Sequence, residues 1–159
     1  MGSQVKTPEK TVLERKKMDN HSVAKVSTTI HAPASKVWDA ITKPELIKQY
    51  LFGTDVISDW KVGSAIIYKG EWEGKPFEDK GKILEIEPRK SLVSTHWSPT
   101  SGVPDTPENY HKVSYQLLEK NGATEVTITQ DNNANQVEKE HSEQNWKQVL
   151  DGLKKLLEK

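Results

Sequence analysis

The side chains best equipped for chemistry in this sequence are its histidines and its aromatic rings. His21, His31, His96, His111 and His141 could move a proton near neutral pH. Their spacing forms no HExxH or related metal-ligand pattern, and Glu140 and His141, being adjacent, point to different helix faces. Cysteine is absent, which removes thiol nucleophiles and cysteine zinc sites, and no GxGxxG, phosphate loop or GxSxG occurs. No catalytic residue, metal ligand or cofactor is therefore assigned, and the chemistry that remains is recognition. His96, in Leu92-Val93-Ser94-Thr95-His96-Trp97, could give or accept a hydrogen bond with a ligand carbonyl or hydroxyl at a cavity mouth, or could simply face solvent. Strand alternation groups it with Ser94 and Leu92 on one face and leaves Trp97, Thr95 and Val93 on the other, without saying which face is inner.

Ten rings, Trp38, Tyr50, Trp60, Tyr68, Trp72, Phe77, Trp97, Tyr110, Tyr115 and Trp146, admit the same two readings, core packing or ligand lining. Trp38 and Trp146 read first as core. Tyr50, Tyr68, Trp72 and Trp97 fall near element ends, where pockets are lined by apolar rings with a few polar tips. The candidate ligand-binding set is Tyr50, Tyr68, Trp72, Phe77, His96, Trp97, Tyr110, Ser142 and Trp146.

Composition narrows the classes further. The 159 residues hold 23 Lys plus Arg against 23 Asp plus Glu, with the signs interspersed, so nucleic acid and anionic membranes lose their main attraction. There is no run of 18 apolar residues and no signal-peptide pattern, which leads us to expect a cytoplasmic protein. Only 33% of residues are hydrophobic, yet five are tryptophan, so large rings must do much of the burying or line something.

The elements that must position these residues follow from periodicity and turn chemistry. Residues 1–22 are polar and read as a flexible extension, with a short helix after Thr7-Pro8, ahead of one domain over 23–159. Ala24, Val26, Thr28 and Ile30 alternate as a half-buried strand. After Ala32-Pro33, Val37, Trp38 and Ile41 recur at helical spacing, and Thr42-Lys43-Pro44-Glu45 reads as a capping box opening a second short helix. A strand and turn within 53–59 and strands near 64–70, 77–87, 90–97, 110–118 and 123–130 come next, with Asn121-Gly122 the strongest hairpin signal. Ser98 to Asn109, with three prolines, is expected to be loop alone.

The last segment, from Asn135 with Glu138 as its cap, changes character partway. Trp146, Val149, Leu150, Leu153, Leu156 and Leu157 share one helical face, but backward projection of that face meets Ser142, Lys139 and Asn135. We expect the aliphatic half to be gripped by the sheet and the polar half to lie over a cavity mouth, with Ser142→Leu weakening binding at little cost in stability. The order strand, two helices, meandering strands and one long helix predicts an α+β fold, a twisted antiparallel sheet wrapped around the final helix.

Five segments in order, IHAPASKVWDAITKPELIKQY, DWKVGSAIIYKGE, GKILEIEPRKSLVSTHW, EVTITQ and EHSEQNWKQVLDGLKKLLE, resemble the activator of Hsp90 ATPase homologue-like (AHSA1-like) family of the START-like, or SRPBCC, superfamily, over about residues 23 to 158. The resemblance implies a helix-grip (START-like, Bet v 1-like) fold: a curved antiparallel sheet of about six to seven strands around the C-terminal helix, two short helices after strand one, and a deep apolar cavity. It implies binding of a small hydrophobic or aromatic molecule, lipid included, with a stress-related role. The family's name suggests Hsp90 as an alternative partner, and cyclase or hydrolase chemistry in the same cavity occurs elsewhere in the superfamily. Tyr50 stands where the family usually has Trp, offering a hydroxyl toward a ligand, and Asn145 where it often has Gly.

Overall fold

The computed structural model describes residues 23–159, so the expected short helix after Thr7-Pro8 lies outside the described residues. Strand β1 (Ala24–Ile30) leads into two short helices, α1 (Ala34–Thr42) and α2 (Pro44–Tyr50). Six strands follow: β2 (Asp55–Ser58), β3 (Ala65–Trp72), β4 (Lys75–Glu87), β5 (Ser91–His96), β6 (His111–Lys120) and β7 (Ala123–Gln130), then the long helix α3 (Gln136–Leu157). The sheet is antiparallel throughout, in the order β1-β7-β6-β5-β4-β3-β2. This is the helix-grip α+β architecture, with every strand after β2 pairing to its sequence neighbour and β7 closing back on β1.

Turn residues fix the register. Asn121 and Gly122, at φ 53° and 80°, join Lys120 to its partner Ala123, and Glu73 and Gly74, at 52° and 79°, join Trp72 to Lys75. Positive φ at both central residues is the twisted two-residue hairpin that suits right-handed strands. At Gly81 a side-chain carbon would fall 1.7 Å from the Thr95 carbonyl oxygen, so β4 approaches β5 here more closely than any other residue permits.

Two local expectations change. Thr42 is the last residue of α1 and its hydroxyl donates to the Trp38 carbonyl at 2.8 Å, so no capping box forms. Pro44, sitting at the first position of α2 with no amide hydrogen to lose, starts that helix without one. The stretch 98–109 is not loop alone, since Pro99–Ser101 and Pro107–Asn109 each close a single 3-10 turn.

The long helix has 22 residues and spans about 33 Å at 1.5 Å per residue. Its start is as expected: Asn135 Oδ1 accepts from the Glu138 amide at 2.9 Å and the Glu138 carboxylate accepts from the Ala134 amide at 3.1 Å. Val149, Leu150 and Leu153 then enter a core with Ile30, Val37, Ile83, Val126 and Ile128. Polar side chains tie the helix along β1: Glu143 accepts from the Lys25 amide at 3.0 Å, Glu158 from the His31 amide at 2.7 Å, and Lys154 donates to the Thr29 carbonyl at 2.7 Å.

Candidate functional site

The concave face of the sheet changes composition along its length. Leu92 and Ser94 are buried, so the face of β5 that carries His96 is the inner one. Register then carries this face across the sheet: Tyr68 opposite Asp79, Val113 opposite Ser94, His111 opposite His96, Tyr115 opposite Ile128, and Val113 opposite Gln130. At the end holding Tyr68, Asp79, His96 and Gln130 the face is polar and aromatic; toward Leu117, Val126 and Ile83 it is aliphatic.

Three phenols gather at the polar end. Tyr68 packs edge-on against the His96 imidazole, centroids 5.8 Å apart, and Tyr115 meets Trp146 of α3 edge-on at 6.0 Å. Burial pushes the Tyr68 phenol up to about 12; a hydrogen bond from Ser94 opposes the rise and the Asp79 carboxylate adds to it. Burial also pushes Tyr115 upward, with Tyr68 adding to it, and raises Tyr50, with Tyr115 and then Tyr68 adding. All three phenols therefore stay protonated at neutral pH and serve as hydrogen-bonding tips on apolar rings.

Beside them His96 Nε2 lies 3.0 Å from Asp79 Oδ2. The other carboxylate oxygen, Asp79 Oδ1, is buried and has no hydrogen-bond partner among the described residues. The close β4–β5 approach at Gly81 and Thr95 sits immediately beyond this pair and draws the two strands together at it. Leaving a buried acceptor unpaired costs about 1–3 kcal/mol, and among the described residues this is the one buried side-chain nitrogen or oxygen in that state.

The polar half of α3 closes the same end. Trp146 Nε1 donates to Gln130 Oε1 at 2.8 Å, Gln130 Nε2 donates to Ser142 Oγ at 3.2 Å, and Ser142 Oγ donates to Asn133 Oδ1 at 2.9 Å. Ser142 is thus a buried member of a network, and Lys139, one turn earlier, is half-buried.

Of the residues singled out in the sequence, the structure brings Tyr50, Tyr68 and Trp146 together around Tyr115, with His96 against Tyr68 and Ser142 on the border. The Tyr50 hydroxyl donates to the Ala40 carbonyl at 2.7 Å rather than standing free for a ligand, because its ring is buried between α1 and α3. Trp72 stands apart at the β3–β4 hairpin, 63% exposed and edge-on to the exposed Phe52. Phe77 packs under Gly70, where a side-chain carbon would lie 2.8 Å from its ring. Trp97 and Tyr110 stack at 6.5 Å and pin the 98–110 loop: Trp97 Nε1 donates to the Val103 carbonyl at 3.2 Å, and Tyr110 and Lys80 both bind Asp105. Asp79, Ser94, Gln130 and Asn133 were not singled out; the signal that could have found them is strand parity, which sets Asp79 opposite Tyr68 and Ser94 two residues from His96.

Two open grooves lie on the surface of the sheet's β2–β4 end. One lies beside Phe52, Asp55 and Lys69, the other between Gly70, Phe77 and Pro99. Between sheet and helix the rings touch one another. Among the described residues no three His, Asp or Glu side chains gather to hold a metal, and no helix is long and apolar enough to cross a membrane.

The pattern of proteins described as activator of Hsp90 ATPase homolog 1-like matches residues 31–158. No curated protein matches the sequence significantly. Among solved structures, ChR145 from Cytophaga hutchinsonii is 54% identical, with 86% of this chain and 93% of that one covered and a TM-score of 0.76. The Aha1 dimer from Colwellia psychrerythraea is 22% identical, with 85% and 95% covered and a TM-score of 0.66. DynU16, of the dynemicin biosynthetic locus, is 20% identical, with 86% of this chain and 47% of that one covered and a TM-score of 0.72. At such identities the last two show the shared fold alone. With its pattern running from His31 to Glu158, through both short helices, strands β2 to β7 and the long helix, the chain belongs to the activator of Hsp90 ATPase homologue 1-like family.

Proposed function

We propose that this protein binds a small hydrophobic or aromatic molecule between the sheet and α3, without a catalytic step. The observation that carries the reading is the convergence of Tyr50, Tyr68, Tyr115 and Trp146 at the one end of the interior that also holds polar side chains. Apolar rings with a few placed polar groups are the usual lining of ligand sites. A ligand enters by parting the Tyr115–Trp146 contact. An edge-on ring pair is worth about 0.5–1.5 kcal/mol, whereas burying a two-ring ligand at about 25 cal/mol per Å² returns several times that. A closed apo interior is therefore compatible with binding, as a minor open conformation that ligand makes dominant.

Titration of flavonoids, fatty acids and aromatic polyketides, read by tryptophan emission and melting temperature, tests the reading. Trp146 is the reporter, so its emission should move with ligand while Trp146→Phe abolishes that component. A broad panel that moves neither signal defeats the proposal.

A second reading, a protein-interaction module acting on Hsp90, draws on the family's name and on the exposed pair Phe52 and Trp72. Paired exposed aromatics are enriched where proteins meet. Stimulation of the Hsp90 ATPase that disappears in Trp72→Ala supports it; an unchanged ATPase rate removes it.

A further inference from the structure

We propose that Asp79 is the polar anchor of this pocket, and that, with His96 holding one of its oxygens, it selects an uncharged aromatic ligand that carries a hydroxyl. The inference rests on the binding reading above and gives that ligand its chemistry.

Asp79 sits on the inner face of β4, opposite Tyr68 and beside His96. As a carboxylate it offers acceptors and no donor. His96 Nε2 engages Oδ2 at 3.0 Å and so fixes the plane of the group, while Oδ1 is buried and unpartnered in the neighbourhood of Tyr68. What satisfies Oδ1 is a hydrogen-bond donor arriving there. The body behind the donor must suit Tyr68, Tyr115 and Trp146, which favours a flat aromatic skeleton.

Charge decides between the donors and the competitors. The lysines next to Tyr68 and Asp79 in sequence are turned to other partners: Lys69 pairs with Glu78 at 3.7 Å and Lys80 binds Asp105. A ligand carboxylate placed beside Asp79 therefore meets like-charge repulsion from it in a partly buried space. A ligand ammonium would have to shed its hydration among three neutral phenols, a desolvation that its attraction to Asp79, already engaged by His96, has to repay in full. A hydroxyl supplies the donor without either penalty. The site accordingly discriminates hydroxylated aromatics from fatty acids and other anions, a distinction that ring contacts alone would not make.

The test uses three probes of nearly one shape on the full chain: 2-naphthol (donor), 2-methoxynaphthalene (acceptor only) and 2-naphthoate (anion), titrated by calorimetry and by amide chemical shifts. Wild-type protein is expected to bind 2-naphthol about tenfold tighter than 2-methoxynaphthalene, the yield of one hydrogen bond to a charged acceptor, and 2-naphthoate most weakly. Asp79→Asn keeps the side-chain shape and removes the charge, so it should compress this range and raise naphthoate toward the others. Its melting temperature should hold or rise, which separates loss of selectivity from loss of fold. Asp79→Ala should leave naphthol and methoxynaphthalene equal. Equal affinities for those two probes in wild type, or an unchanged ranking in Asp79→Asn, overturns the anchor and leaves the pocket standing. No heat and no shifts with any probe overturns the pocket, and the anchor with it.

Discussion

From Trp146 to Leu157 the long helix presents Val149, Leu150 and Leu153 to the sheet; from Asn135 to Asn145 the same face presents Lys139 and Ser142. The first half is held by Asn133, Gln130 and Ser142 through directed hydrogen bonds, the second by close packing of aliphatic groups. The sheet repeats the division beneath them, with Tyr68, Asp79, His96 and Gln130 at one end and Ile83, Leu117 and Val126 at the other. The difference is one of holding force: the aliphatic end is held by close packing, and the polar end by directed hydrogen bonds, which are the feature the binding proposal draws on.

Substitutions at the two ends should separate these roles. Leu153→Ala, at a position fully excluded from water, is expected to cost about 2–5 kcal/mol in urea denaturation while leaving the ranking of aromatic probes unchanged. A changed ranking would break the division. Gln130→Ala removes the acceptor of Trp146 and the donor to Ser142, and should cost about 1–3 kcal/mol and shift Trp146 emission, since those partners lose their bonds. Ser142→Leu should behave alike, contrary to the expectation of little structural cost, because the site is buried and the added volume displaces the network. Asn135→Ala strips the helix cap and should lower stability by about 1 kcal/mol, with amide exchange accelerating at 136–140 and not beyond Trp146.

The smallest effect belongs outside both halves, at the loop pinned by Asp105. Lys80 and then Tyr110 hold the Asp105 carboxyl below its ordinary value. A depressed folded-state value means that the contribution is full above the ordinary carboxylate range near 4 and disappears as pH falls through the lowered value. Protection factors of the loop amides 98–110, taken relative to the intrinsic exchange rate at each pH, should therefore fall on acidification through that window, a pH dependence that Asp105→Asn abolishes by loosening the loop at every pH. The core amides of α3 should not follow.

Much of this plan was legible in the residue order. The 3.6-residue stripe of α3, its Asn135 cap, the Asn121-Gly122 hairpin and the strand alternation each express a local rule, and all hold in the structure. The Thr42 capping box failed because a hydroxyl at the end of a helix can bond back four residues to Trp38 as readily as it can cap the next helix. The site was harder to read for a different reason. His96, Tyr68 and Trp146 stood out by type, but Asp79 is one of many acidic residues, and only cross-strand register, a property of chain segments far apart in sequence, sets it beside His96. Trp72 and Trp97 draw notice by their position near element ends, which says that a ring is near a boundary and not which side of the sheet it serves.

The side chains of Glu143 and Lys154 that tie α3 to β1 meet Lys25 and Thr29 along the strand's border, and Glu158 meets His31 just past its end. An incoming strand from another molecule would need those same amides and that carbonyl to extend the sheet. Because the helix already spends its own carboxylates and a lysine there, and the opposite border is only the four residues of β2, this fold resists growth by strand addition. Both borders of the sheet are thus guarded by local means, one by a helix that answers its outward groups and the other by brevity.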